Sequence, residues 1–369
     1  KNVTFNDNRY SVKLPMKEDV DSIDDNYELS KSRLKNLYNK FRKDPKLFEE
    51  YNKVIDGQLS ENIVEPVESE GKPGLTHYLP HRAVLKQDRS TTKLRIVFDA
   101  SASMPGSISL NDMLYSGPSL TKSLFGVLLR FRIFDIGLVA DIEKAFLQIL
   151  LDSDDRDLVR FLWFRNFDPE KTFDEQELVE LRLGRVLFGV TSSPFLLEGT
   201  LIVHAEKYLR EDPLLVKKLL DALHVDDLVA GANSVDEGEE FFLKAKQLLK
   251  DGSFNLKKFQ SSNRELESTI YENTNDNADL LYTNNPDDNK VLGVRWNKFD
   301  DQIIFKFHEL AESCKSACTK RDILHCLASV YDPLGLINPV IINMKCFFQK
   351  LCIQKVDWDH KLSEDLLNE

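Results

Sequence analysis

No apolar run in this chain approaches the roughly 18–20 residues that a helix needs to cross a membrane, so no span is expected. The opening Lys1-Asn-Val-Thr-Phe5 has neither an initiator Met nor the apolar core of a signal peptide, and a piece of a longer polyprotein is expected. No cysteine precedes Cys314. All five (Cys314, Cys318, Cys326, Cys346, Cys352) fall in the last sixth, an odd and clustered set that argues for a reducing compartment. There is no internal repeat and no low-complexity tract. Positive charge is scarce too: 49 basic residues face 61 acidic ones, a net charge of −12. Read globally, that cuts against a polyanionic partner, because neutralising phosphates takes Lys and Arg.

Read locally, the charge is polarised. Between His77 and Phe98 lie Arg82, Lys86, Arg89, Lys93 and Arg95 against one acid, Asp88, whereas Asp152–Glu180 carries ten acids and four bases. Such separation is compatible with a steered polyanion site. At 369 residues, 42% hydrophobic and 30% charged, the chain has the composition of a globular protein of two or three subdomains.

The apolar spacing over Ser30–Ile55 predicts one or two amphipathic helices broken near Pro45. Tyr78–Leu85 and Leu94–Phe98 read as a hairpin with a basic tip, Lys86–Lys93. Leu120–Phe134 reads as a helix, Leu138–Asp141 as a buried strand, and Leu158–Phe164 and Leu178–Leu187 as strands around a charged insert. Thr191-Ser-Ser-Pro194 is expected to cap a helix reaching about Arg210. Val235–Lys250 is a further helix, ended by Gly252. Asn273–Asn289 is a polar loop; Val291–Trp296 and Gln302–Phe307 are strands; Lys320–Tyr331 and Val340–Cys352 are helices.

Residues 223–230, Leu-His-Val-Asp-Asp-Leu-Val-Ala, set two acids between apolar β-formers, which predicts a tight hairpin turning at Asp226-Asp227. Adjacent carboxylates repel, and a divalent cation is the simplest compensation. A third acid, Asp141, ends the apolar run Gly137-Leu-Val-Ala. One strand-end Asp plus a hairpin pair is the donor set of a two-Mg²⁺ phosphoryl-transfer site. Side chains alternate faces, so the two hairpin acids cannot contribute equally. Asp226 is expected to face Asp141 and carry both metals. The bland alternative is an acidic surface turn.

Ala140-Asp-Ile-Glu-Lys-Ala-Phe146 with Val225-Asp-Asp-Leu228 resembles the palm of reverse transcriptases, and the wording is most similar to the BEL/Pao family of LTR retrotransposons. Tyr78-Leu-Pro-His-Arg-Ala-Val84, Thr91–Ser101, Leu110-Asn-Asp-Met-Leu114, Leu129-Arg-Phe-Arg132, Phe188-Gly-Val-Thr-Ser-Ser-Pro194 and Tyr331-Asp-Pro-Leu-Gly335 carry the likeness over nearly the whole chain. It implies an α+β right hand of fingers, palm and partial thumb, with an antiparallel palm sheet backed by helices. It further implies RNA-directed DNA synthesis on an RNA or DNA template with primer and dNTPs, using two Mg²⁺ ions or substitute Mn²⁺.

By the same resemblance Asp141, Asp226 and Asp227 are catalytic and, with Ile142, hold the metals. Lys93 and Arg95 grip the incoming triphosphate. Phe146 blocks a 2′-hydroxyl, though an ordinary core Phe remains the alternative among 23. Phe188-Gly189 is the nucleotide- and template-contacting turn, or simply a strand-to-helix turn. Lys258 or its neighbour Lys257 protonates the leaving pyrophosphate; a solvated Lys pair is the plain reading. Leu292-Gly293 resembles the primer-grip hairpin or marks a β-bulge glycine. His224 departs from the family's usual Tyr. Cys314, Cys318, His325 and Cys326 lack zinc-knuckle spacing and read as free thiols.

The implied organisation is an N-terminal helical extension at 1–60, fingers at 61–136, palm at 137–150, a fingers insert at 151–180, palm again at 181–300 and a thumb- or connection-like helical region at 301–369. Protease, RNase H and integrase domains of the same polyprotein are expected partners. A cytoplasmic, virus-like-particle location with a possible nuclear stage is expected. No RNase H or integrase carboxylate set is visible in the sequence. The rivals are a domesticated copy that binds nucleic acid without catalysis and a non-LTR or viral polymerase of the same palm fold.

Overall fold

A single aspartate separates the first two helices. Leu34, Leu37, Tyr38 and Phe41 make one buried stripe on α1 (Tyr27–Lys43), the i, i+3, i+4, i+7 spacing of a helix packed on one side. Asp44 then accepts from the Leu47 amide, and Pro45 occupies the first turn of α2 (Pro45–Ser60), where its missing N–H costs nothing. The computed structural model describes residues 3–18, 22–68, 70–85, 94–274, 289–305, 312, 315 and 317–367. They divide into two compact units, Lys1–Thr121 with Ile142–Val216 and Gln247–Asn255, and Lys122–Asp141 with Lys217–Lys246 and Leu256–Glu369.

The first unit holds three small sheets. The hairpin β1 (Val3–Asn6) and β2 (Arg9–Val12) turns through Asp7-Asn8, both at positive φ, and adds β7 (Leu150–Leu151) in parallel. β3 (Val64–Pro66), β9 (Leu178–Leu183) and β8 (Arg160–Phe164) form the second sheet, and β4 (His81–Leu85) with β5 (Leu94–Phe98) the third. Trp163 of β8 stacks on Tyr51 at 4.9 Å and on Phe48 at 6.0 Å, so α2 and β8 share an aromatic core. Arg160 is buried yet paired, at 2.9 Å from Glu180 and 3.1 Å from Asp157. The helix α5 (Ser193–Glu206) has Pro194 in its first turn. The expected serine cap is absent: Ser192 makes no capping bond, and Ser193 Oγ donates instead to the Leu187 carbonyl.

The second unit is built on a four-stranded sheet in the order β10 (Leu223–His224), β11 (Asp227–Ala232), β6 (Ile136–Ile142), β12 (Leu256–Ser261). A second sheet of β13 (Lys290–Val291), β14 (Val294–Asn297) and β15 (Gln302–Ile304) stands beside the helix α4 (Leu124–Ile133). Val127, Leu128 and Phe131 of α4, Val229 of β11, and Val291, Val294 and Trp296 form one apolar core, with Val139 and Leu292 packed against it. Gly137 and Gly231 sit opposite each other on β6 and β11. A Cβ on the first would stand 2.7 Å from the Phe131 ring, and one on the second 2.5 Å from Phe134. Only glycine lets those rings lie on the strands. Lys298 and Glu267, 3% and 4% exposed, pair at 2.6 Å. A helical C-terminal stretch follows: α9 (Lys320–Ser329), α10 (Asn338–Ile353) and the short α11 (Glu364–Leu367).

Several boundaries differ from expectation for local reasons. The Leu120–Phe134 helix begins at Leu124, and the segment expected as one strand over Val291–Trp296 is a hairpin turning at Leu292-Gly293. Leu158 and Val159 close a 3-10 helix rather than open a strand. The basic hairpin tip, residues 86–93, lies outside the described residues.

Candidate active site

β6 and β11 run antiparallel with Asp227 directly opposite Asp141, followed by Leu228 opposite Ala140 and Val229 opposite Val139. Directly opposed residues point to the same face, so the two carboxylates share one side of the sheet at its end. The flanking pattern explains the placement: Leu138, Ala140 and Ile142 are buried, as are Leu228 and Ala230, while the acids remain half-exposed. Like charges facing each other across strands destabilise the pair. Lys258 of β12, the strand on the other side of β6, offsets this with its Nζ 3.2 Å from Asp141 Oδ2. At 51% and 30% side-chain exposure that ion pair is worth less than about 1 kcal/mol.

The turn is displaced by one residue from its expected place. His224 pairs with Asp227, leaving Val225-Asp226 as the two-residue loop. Val225 has φ 58° and Asp226 does not share the positive sign, the pattern of a II′ turn whose first position favours glycine. A β-branched residue there is strained, which is why the local sequence points elsewhere. Consequently the acid facing Asp141 is Asp227, not Asp226; Asp226 occupies the loop itself. His224 is half-buried, and its Nδ1 lies 3.2 Å from the Lys122 carbonyl oxygen ahead of α4.

Among the described residues no three His, Cys, Asp or Glu side chains form a ready-made metal cage. Magnesium does not require one, since it is held by one or two carboxylates with water and substrate phosphates. Two facing carboxylates of hard oxygen donors fit that ion. Ile142, buried beside Asp141, could offer only its main-chain carbonyl. Cys318 is half-buried, Cys326 buried, and Cys346 and Cys352 exposed; Cys314 lies outside the described residues.

Leu292 and Gly293, both at positive φ, make the turn between β13 and β14. This hairpin shares its apolar core with Val139 and Val229, each two residues from a facing acid. Tyr331 seals it: its hydroxyl donates to the Leu292 carbonyl at 2.9 Å, and a Cβ on Gly293 would lie 2.9 Å from its ring. Lys258 has φ 54°, a local break in β12 that accompanies its reach to Asp141. Lys257 beside it is half-buried.

The remaining expected nucleotide residues fall in the first unit. Phe146 is buried, edge-on to the exposed Phe188 with ring centroids 4.4 Å apart. Gly189 has φ 97°, and a Cβ there would stand 2.7 Å from the Phe98 carbonyl oxygen at the end of β5. Asn111 staples this turn, donating to the Gly189 carbonyl at 3.0 Å and accepting from the Thr191 amide at 2.8 Å. Arg95 is exposed on β5 opposite Val84. Lys93 lies outside the described residues. Asn111 and Tyr331 were assigned no role from sequence, although both sit in stretches that carry the family resemblance.

Residues 319–369 match a family model described as the Pao retrotransposon-like RNaseH-like domain. No curated protein matches. Among solved structures, the fold is similar to a foamy viral protease-reverse transcriptase (dRH) in complex with double-stranded DNA, at 17% identity over 87% of this chain and 46% of that one, with a TM-score of 0.54. A selenomethionine-labelled CSH mutant of prototype foamy virus protease-reverse transcriptase aligns at 18% identity over 59% of this chain and 24% of that one, with a TM-score of 0.43. These findings support a Pao/BEL-type retroelement Pol region. The chain spans less than half the length of the solved chains it matches. At such identity the likeness is one of fold, a mixed α+β arrangement of small sheets. The stretch expected as thumb or connection is the one that the family model describes as RNaseH-like.

Proposed function

We propose that this Pol region is an RNA-directed DNA polymerase that transfers nucleotides from dNTPs to a primer 3′-hydroxyl. The observation that carries the reading is the facing pair Asp141 and Asp227 on adjacent antiparallel strands, with Lys258 3.2 Å from Asp141. In this reading Asp141, Asp227 and Asp226, with the Ile142 carbonyl, hold Mg²⁺ or Mn²⁺. When bound, two such ions lower the cost of ionising the primer hydroxyl and balance charge on the leaving pyrophosphate. Lys258 is poised to give a proton to that leaving group. Arg95 supplies a guanidinium fork, and Lys93 an ammonium charge, for the triphosphate. Phe146 excludes a 2′-hydroxyl, Phe188-Gly189 contacts nucleotide and template, and Leu292-Gly293 supports the primer end. Fingers, palm and thumb are the corresponding architecture. The foamy viral relative was solved with double-stranded DNA, which supports a primer–template duplex as the partner here.

The RNaseH-like match raises hydrolysis of RNA in a hybrid as a second reading. Three acids of that stretch are engaged structurally. Asp322 accepts from the Thr319 hydroxyl and the amides of Cys318 and Thr319, Asp332 from the amides of Leu336 and Ile337, and Asp359 pairs with Arg321 at 2.6 Å. These three do not oppose one another across paired strands as Asp141 and Asp227 do, which favours polymerisation.

Primer extension on RNA and DNA templates with Mg²⁺ or Mn²⁺ tests the proposal, with cleavage of a labelled hybrid measured alongside. Asp141→Asn, Asp226→Asn and Asp227→Asn should each lower extension by several orders of magnitude. Primer–template affinity without nucleotide should barely change in all three. Wild-type protein that binds duplex but extends nothing would support the domesticated, binding-only reading. Hybrid cleavage without extension would support the hydrolase.

A further inference from the structure

Three guanidinium groups gather round β7 in the first unit. Arg9 Nη1 donates to the Gln148 side-chain oxygen at 2.8 Å and to the Gln148 carbonyl at 3.3 Å, just ahead of the strand. Arg156 Nε donates to the Leu151 carbonyl at 3.0 Å. The Arg156 guanidinium also lies over Gly184, where a Cβ would stand 3.8 Å from Arg156 Cζ. Arg185, the next residue, pairs with Leu150 through an antiparallel bridge. Arg9 and Arg156 are half-buried, but Arg185 is only 6% exposed. Its Nε and Nη1 are buried without a hydrogen-bond partner. Nη2 also bonds to nothing among the described residues and is not shut in with them, so it is the corner of the guanidinium that a ligand meets first.

The acids nearby are already committed. Glu61 pairs with Lys144 at 2.6 Å, and Glu65 is shared between Arg182 at 2.7 Å and Arg156 at 3.0 Å. Neither Arg9 nor Arg185 forms an ion pair among the described residues, which leaves two uncompensated positive charges close together. Burial, and then the charges of Arg9 and Arg156, bring the Arg185 pKa down to about 10, so the group stays protonated at neutral pH. A buried charge without a counter-charge is among the costliest arrangements in a folded chain. In a protein of net charge −12 it is no by-product of a basic composition. A water molecule would satisfy an N–H but not the charge, and a metal ion would be repelled. A single carboxylate would neutralise one guanidinium and leave the other. A phosphate dianion neutralises both, and its tetrahedral oxygens can accept from two planar forks at once.

We propose that Arg185 and Arg9, with Arg156 beside them, bind a phosphate dianion, either free phosphate or the terminal 5′-phosphate of a nucleic-acid strand. The site uses neither of the facing acids and stands whether or not the chain polymerises. It is tested by calorimetric titration and thermal melting of the full chain. The probes are inorganic phosphate, a 5′-phosphorylated oligonucleotide, its 5′-hydroxyl twin, and a short peptide of two adjacent glutamates flanked by glycines. Phosphate should bind one to one, raise the melting temperature and weaken as salt rises. Arg9→Gln should weaken phosphate binding about tenfold. Arg185→Met should abolish it and raise the melting temperature of the phosphate-free protein, because a flexible apolar chain replaces an uncompensated charge. Loss of an arginine that is purely structural would lower that temperature instead. A 5′-phosphorylated strand that binds more tightly than its twin, by a margin that Arg185→Met erases, identifies a strand end as the ligand. Twin strands of equal affinity, with phosphate bound, identify free phosphate. Four results would each overturn the proposal: no phosphate binding at millimolar concentration together with equal twins, an affinity untouched by Arg9→Gln, a lower melting temperature for phosphate-free Arg185→Met, or displacement of phosphate by a tighter-binding glutamate peptide.

Discussion

The Tyr331 hydroxyl donates to the carbonyl oxygen of Leu292 across 2.9 Å while its ring covers Gly293. One residue of the RNaseH-like match thus holds the turn that resembles a primer grip. If that turn positions the primer end, Tyr331→Phe removes one hydrogen bond worth about 1 kcal/mol and keeps the ring. Extension should fall roughly fivefold in kcat with little change in primer–template affinity. A purely structural tyrosine would lower the melting temperature and leave kcat of the folded enzyme intact. Single-turnover kinetics on the variant separate the two.

Val225 carries a left-handed backbone at the position of a II′ turn that glycine favours. Val225→Gly relieves a strain of about 1–2 kcal/mol and loses part of it again to unfolded-chain entropy. The net expectation is a gain of about 1 kcal/mol, read as a higher urea midpoint. A lower midpoint would mean that the valine side chain contributes packing that outweighs its backbone.

Phe146 is expected to discriminate against rNTPs. Phe146→Val should raise rNTP use far more than it lowers dNTP use, because it removes a repulsive contact. Alanine is the poorer choice, since the ring is buried against Phe188 and its loss leaves a cavity costing roughly 3–5 kcal/mol. Unchanged rNTP/dNTP selectivity in Phe146→Val would make Phe146 a core residue and put the gate elsewhere.

Burial lowers the pKa of His81 from 6.5 to about 4, the hydrogen bond to the Leu162 carbonyl opposing this only in part. Burial shifts His77 and His204 in the same direction. Their folded-state values lie below the unfolded one, so the stability they contribute is complete above about pH 6.5 and is lost as pH falls towards 4. For His81 alone that amounts to roughly 3 kcal/mol. Urea unfolding at pH 7.5 and pH 5 should show the loss, and His81→Gln should flatten the slope between them.

Where local preference and tertiary demand agree, the chain is readable. The α1 and α2 stripes, the break at Pro45, and the apolar runs that end at Asp141 and flank Asp226-Asp227 are examples. Where they conflict, reading failed. Valine seldom adopts positive φ, so the turn was expected one residue late, and the choice between Asp226 and Asp227 as the facing acid went with it. At Leu292 the single strand expected from apolar spacing gives way to a hairpin, the form that the family resemblance implied there. Ser192 has a capping residue's chemistry but no capping bond, because the helix start is fixed instead by Ser193 on the Leu187 carbonyl. Asn111 and Tyr331 act on backbone 78 and 39 residues away, and no local signal carries that information.

Gly137 and Gly231 give the second unit a fulcrum. With the Phe131 and Phe134 rings resting directly on the two backbones, β6 and β11 are clamped at that point, and the acids stand at the free end of a short lever. Four residues of strand, roughly 13 Å, separate pivot from tip. A methyl at either glycine must displace a ring or the strand beneath it. An alanine at Gly137 or Gly231 is therefore expected to disturb the strands that carry Asp141 and Asp227, through side chains four residues away from either acid.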